Sequence, residues 1–235
     1  METAKLLDEV VETMHTISDI TATTSILNWD QETYMPSGAS ETRAEQISTL
    51  ETLAHQFLTG ERSRKLADRI TGLNGTADSE PLLKLFIHDF ERASKLPEDL
   101  VRRTSRAQAL AQDTWKQART EKNYAKFLPA LTELVNLKIE AAERFGYAEN
   151  RYDALLNLFE PGMTVAQLNP VFDNLRTATA EILSAIAPNL DKVTDAPMQG
   201  NFSKEKQMEF SKYISGKMGF DFNNGRIDLS THPFC

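Results

Sequence analysis

Cysteine is nearly absent: the 235 residues contain one, Cys235. No intramolecular disulfide can form, and a reducing compartment is the simpler expectation. Long apolar runs are missing too. None approaches the ~20 residues that a membrane helix needs. The first twenty residues, METAKLLDEVVETMHTISDI, are acidic and amphipathic rather than basic and then apolar, which does not fit a signal peptide. A cytoplasmic protein without a membrane partner is expected. Basic residues are outnumbered, 26 Lys and Arg against 34 Asp and Glu. They form no concentrated patch, so no nucleic-acid partner is expected. A Gly-rich phosphate loop is absent, because the two glycines of GFDFNNG have the wrong spacing and context.

Histidine is sparse as well. His15, His55, His88 and His232 are the four, and none has a second histidine four residues away. That excludes the zinc-peptidase helix, in which i and i+4 imidazoles share a face with a Glu between them as general base. His15 with Asp19, and His88 with Glu91 and Arg92, have helical spacing, but one histidine and one acid make a common pairing. Cys235 has no neighbour that would activate a nucleophile. From these residues no catalytic group and no metal ligand is assigned.

Period 3.6 dominates what is present. Leu7, Val10, Val11, Met14 and Ile17 form one helical face, and the pattern continues to Trp29 before Pro36 and Gly38 break it. A second helix is expected over 40–58, with Ala44, Ile47, Leu50, Leu53, Ala54 and Phe57 inward and Gly60 as its C-terminal cap. A short helix carrying Leu66, Ile70 and Leu73 follows, then the loop LNGTADS. Ser79 is expected to cap the next helix, which carries Leu82, Leu83, Phe86 and Phe90. Pro97-Glu98-Asp99 opens a long helix through Trp115 to about Thr120, its acids at the positive dipole end. The helix after it carries Phe127, Leu131, Leu134, Val135 and Ile139 on one side and stops at Gly146. A short helix occupies 150–159.

Thr164 and Gln167 have the capping-box spacing. They predict a helix that buries Val171, Phe172, Leu175, Ile182, Leu183 and Ile186, with Pro170 kinking it or delaying its start. The stretch APNLDKVTDAPMQGN is the longest loop, and a last helix is expected over 203–218. Only FDFNNGRIDLS alternates with period two, around Asn-Asn-Gly, which predicts a small β-hairpin near the C-terminus. The reading is all-α, one helical region over 1–235. In WDQETYMP, Trp29 and Met35 are expected to cover the core while Asp30 and Glu32 are solvated.

Three ordered stretches resemble signatures of the carboxypeptidase Taq family of metallocarboxypeptidases. They are ILNWDQETYMPSGASETRAEQISTLETLAH, NRYDALLNLFEPGMT and GFDFNNGRIDLSTHPFC. The third ends in the family's His-Pro-Phe motif at His232, Pro233 and Phe234. The whole chain resembles the N-terminal half of such a protein. In the family, His-Pro-Phe is followed by Asp-x-Arg-x-Thr and then the His-Glu-x-x-His zinc helix, neither of which is present.

The resemblance implies a multi-helix, neurolysin-like fold of the zincin type, with N-terminal helices walling a deep groove. It implies a zinc- or cobalt-supported enzyme, typically homodimeric, that releases C-terminal residues from peptides with broad specificity. His232, Pro233 and Phe234 are the residues it places in the substrate cleft. No cofactor is expected within this chain, since the implied zinc or cobalt site lies further along the family's sequence. Alone, the chain is expected to be inactive and to self-associate. A reading of a different class is a non-catalytic helical interaction or dimerisation module from a degenerate paralogue.

Overall fold

The structure is a computed structural model that describes residues 2–72 and 81–231. Among them the regular structure is helical: α1 (Glu2–Thr33), α2 (Ser40–Thr59), α3 (Glu61–Thr71), α4 (Pro81–Ser94), α5 (Glu98–Glu121), α6 (Tyr124–Phe145), α7 (Arg151–Leu156), α8 (Val165–Ile186) and α9 (Lys204–Lys217), with short 3-10 turns between some of them. The chain divides into two compact units, Met1–Gly162 with Ser230–Cys235, and Met163–Leu229. The expected Ser79 cap, and Leu73, lie outside the described residues.

The first unit has a packed interior. Leu6 and Val10 of α1, Leu66, Ala67 and Ile70 of α3, and Leu83 and Phe86 of α4 form one buried cluster. A second joins Ala44 and Ile47 of α2 to Ala109 of α5, with Leu27 of α1 against it. A third joins Leu100 of α5 to Leu137 and Ala141 of α6. Helix α5 thus uses different faces for α2 and α6. Polar links lie beside these clusters: buried Ser48 donates to the Arg102 carbonyl at 3.2 Å, and Arg103 bridges Asp99 and Glu140.

Two buried faces differ from the sequence expectation. On α2, Ala44 and Ile47 are buried but Leu53 and Phe57 are exposed. On α6 the buried residues are Leu137, Ala141 and Ala142, while Val135 and Ile139 face outward. Alanine adds little to an apolar pattern, yet its small side chain lets two helices approach and is then fully covered.

Gly60 ends α2 and begins α3 with extended backbone, φ −69° and ψ 175°. It is the C-terminal cap expected, with extended rather than left-handed backbone. What requires glycine is space, because a Cβ there would lie 2.7 Å from the Gln56 carbonyl oxygen. At Gly146 the stop of α6 does use positive φ, 78°.

The second unit contains α8, α9 and their connections. Thr164 and Gln167 form the expected capping box, which fixes the start of α8 at Val165. Pro170 lies inside the helix and does not delay it. The expected burial along α8 is not found: Phe172 is 58% exposed and Leu183 60%. Nor is the hairpin formed, since the described residues of 220–229 contain no strand. The Asp221 carboxylate accepts from the Asn223 backbone N–H at 2.8 Å and from the Asn224 side chain at 2.7 Å. The Asn224 and Gly225 N–H groups donate to the Asp221 carbonyl. These local bonds take the groups that a β ladder would need. Phe220 and Phe222 meet edge to face, centroids 4.8 Å apart.

Candidate functional site

His232, Pro233 and Phe234, the site residues expected from sequence, lie outside the described residues, as does Cys235. The chain just before them is described. Thr231 belongs to the first unit, and its carbonyl accepts a hydrogen bond from the Arg119 guanidinium at 2.9 Å. Arg119 is in the last turn of α5 and lies 5.2 Å from the centre of the Trp115 ring, one helical turn earlier. A cation in the last turn suits the helix dipole. The helix ends firmly there: Lys122 adopts a left-handed conformation, φ 52°, and the Lys122 and Asn123 N–H groups donate to the Arg119 and Ala118 carbonyls.

The first unit also contains a cavity of about 760 Å³ between α1, α2, α5 and α6. Its floor follows one face of α5, where Leu100, Thr104, Gln108 and Gln112 are spaced by four. Trp29 of α1 and Phe145 of α6 contribute aromatic surface. Glu51 and Lys138 also line it, and burial pushes the Glu51 carboxyl above its ordinary range.

The acids of WDQETYMP are held by this unit rather than solvated. Asp30 pairs with Arg43 at 2.6 Å, and Arg43 also donates to the Leu27 carbonyl. The Glu32 side chain is only 13% exposed, with the Lys116 ammonium 3.2 Å from its Oε2. That contact is an ion pair off the hydrogen-bonding direction, since Oε2 accepts no hydrogen bond. Gln112 donates to the other oxygen of Glu32. Buried Gln31 donates to the Ala109 carbonyl at 2.8 Å, and Lys116 to the Gln31 carbonyl at 2.7 Å. The two carboxylates therefore pair with separate cations and make no acid–base couple. The partners of Glu32 lie on α5, far along the chain, and no local spacing could have shown them.

The described histidines are separate from one another in role. His15 is exposed. At His88, Nδ1 lies 3.0 Å from Asp89 and Nε2 lies 3.3 Å from the Asn157 amide. Arg92, spaced to meet His88, instead donates to the Ala154 carbonyl and stacks 3.7 Å from the centre of the Phe145 ring. Burial holds the His55 imidazole below its ordinary pKa, against the opposing pull of Glu98. Among the described residues no three His, Cys, Asp or Glu side chains cluster as metal ligands. Those residues offer no donor set that fits zinc or cobalt. No helix among them is long and apolar enough to cross a membrane.

The sequence matches the family described as carboxypeptidase Taq (M32) metallopeptidase over residues 9–235. Carboxypeptidase 1 of Bacillus subtilis (strain 168) is 31% identical over 231 residues, which are 97% of this chain and 46% of the relative. A solved structure, the BsuCP crystal structure, superposes with a TM-score of 0.88 at 30% identity, over 98% of this chain and 47% of that one. The M32 carboxypeptidase of Deinococcus radiodurans R1 gives a TM-score of 0.75 at 29% identity, over 98% and 46%. The chain spans about half the length of the curated relatives it matches.

Proposed function

Because the chain belongs to the carboxypeptidase Taq (M32) metallopeptidase family, we propose that it is the N-terminal half of a metallocarboxypeptidase that releases C-terminal amino acids from peptides. In this reading residues 1–235 are one part of a neurolysin-like catalytic domain. His232, Pro233 and Phe234 line the substrate cleft, and the metal, zinc or cobalt, is held by residues of the other half. The metal's contribution when bound is to polarise the scissile carbonyl and acidify its water. This chain contributes a helical wall and the segment leading to His232. A single cysteine favours a reducing compartment such as the cytoplasm.

The observation that carries this reading is the family match along almost the whole chain. The lack of a metal donor set among the described residues adds a corollary: alone, the chain releases no amino acid. The test is to incubate metal-free protein with a blocked peptide, with and without cobalt, and to measure free amino acids. None is expected. Chelator-sensitive release by a homogeneous preparation would overturn the corollary. The intact mass of the natural gene product tests the half-enzyme reading directly, because that reading requires a longer polypeptide.

The exposed apolar side chains of α8 favour a second reading, a non-catalytic module that self-associates or binds an intact relative. Contiguous exposed apolar surface generally marks such contacts. Sedimentation across a concentration series tests it, and a monomer throughout would exclude self-association.

A further inference from the structure

We propose that the cavity between α1, α2, α5 and α6 is a binding site for a short zwitterionic peptide, its free ammonium paired with Glu51 and its free carboxylate with Lys138. The inference goes beyond the half-enzyme reading and needs no metal. It starts from the charged side chains that line this space of about 760 Å³, which are Glu32, Glu51 and Lys138. Glu32 is committed, to Lys116 and to Gln112. Glu51 and Lys138 are both half-buried, and neither makes a hydrogen bond or ion pair with a described residue. Burial raises the Glu51 carboxyl above its ordinary range, and no cation lies close enough to oppose it. The two charges therefore do not neutralise each other. Each is a desolvated charge without a partner, a cost that a ligand of opposite charge removes.

The fold keeps them apart. Glu51 is on α2 and Lys138 on α6. Both helices pack on α5 but in different clusters, α2 against Ala109 and α6 against Leu100. The cavity floor runs between these contacts along Thr104 and Gln108. Those two side chains, one helical turn apart, also bond to no described residue, which leaves them to serve a peptide group. Trp29 and Phe145 add aromatic surface for side chains. A volume of this size is ordinary for a small-ligand site, about 300–1,000 Å³. A simple cation or anion would leave one of the two charges unpaired, and an apolar ligand would leave both. A peptide with both termini free satisfies both.

The test titrates this chain, in chelator, with leucyl-leucine, N-acetyl-leucyl-leucine and leucyl-leucine amide. Calorimetry reads affinity, and the Glu51 Cδ resonance of ¹³C-labelled protein reads its charge. The free dipeptide should bind about tenfold more tightly than either blocked form, the worth of one charge-assisted hydrogen bond. An ammonium beside Glu51 favours its ionised form, so Cδ should titrate at lower pH in the complex. An apolar occupant would deepen the burial and move it higher. Glu51→Gln should erase the preference for a free over an acetylated N-terminus. Lys138→Met should erase the preference for a free carboxylate over an amide. Each should weaken the free dipeptide about tenfold.

Neither side chain bonds another helix, so amide protection of buried Ala109 and Leu137 should be the same in both variants as in the parent. Equal binding of free and blocked dipeptides, no binding of any of them, or unchanged affinity in either variant would overturn the proposal. Failure of the half-enzyme reading shows elsewhere, in the mass of the gene product, and leaves this metal-independent binding untouched.

Discussion

The two units use the same sequence pattern to different ends. In the first, apolar residues at helical spacing are covered: Leu83 and Phe86 of α4 are fully buried. Side-chain bonds there join distant helices, as Gln31 on α1 joins Ala109 on α5 and Arg62 on α3 joins Glu12 on α1. In the second, α8 repeats the period with Phe172, Leu175, Ile182 and Leu183, and all four are exposed. The side-chain hydrogen bonds described for that unit are local, such as Arg176 to Asp173 and Gln207 to the Phe202 carbonyl. An amphipathic pattern therefore specifies a helix and its apolar side. Burial requires a second surface that the helix's own sequence does not contain.

The comparison breaks most readily at Phe86. Phe86→Ala should cost about 3–5 kcal/mol, seen as a lower denaturant midpoint for the first unit; a cost below 1 kcal/mol would mean its cluster is not a packed core. Gln31→Ala should cost about 1–2 kcal/mol, because it removes a buried amide that links α1 to α5. Hydrogen exchange in α1 should rise in that variant while exchange in α8 stays as it was.

Acid should act through His55. Its folded pKa is depressed by burial, so the unfolded chain takes up the proton first. Its contribution to stability is present above the unfolded value of about 6.5 and is lost as pH falls through the folded value. Denaturation midpoints measured between pH 8 and pH 5 should decline less in His55→Gln than in the parent, and identical profiles would remove His55 from the account. The smallest effect belongs to α8. Phe172→Ala should change stability by no more than about 0.5 kcal/mol, while lowering the binding of a dye that reports exposed apolar surface. A loss of several kcal/mol would show that α8 is covered in solution and would erase the contrast between the units.

Helix number, order and most boundaries were legible because they depend on local period, caps and breakers. Thr164 with Gln167 illustrates this, since the capping box is complete within four residues. What was illegible depends on residues far apart or on size rather than apolarity. The buried side of α6 is built on Ala141 and Ala142, which an apolar count underweights against Val135 and Ile139. The Glu32 environment comes from Gln112 and Lys116 on α5. At 220–225 the alternating pattern suggested strands, but the Asp221 side chain captured the nearby N–H groups first. The His-Pro-Phe motif was legible only by resemblance. The bond from Arg119 to the Thr231 carbonyl, just before it in the chain, has no sequence signal of its own.

Gly60 has a consequence for the chain's genetic tolerance. Its φ of −69° is open to every amino acid, so a rule based on backbone angles would class the position as freely variable. The 2.7 Å approach of a Cβ to a main-chain oxygen says otherwise, because neither atom belongs to a side chain that could rotate away. In a saturation library, every single-residue change at codon 60, alanine included, should be depleted to a similar extent. At Gly38, where an added Cβ meets nothing within 4 Å, alanine should pass unnoticed.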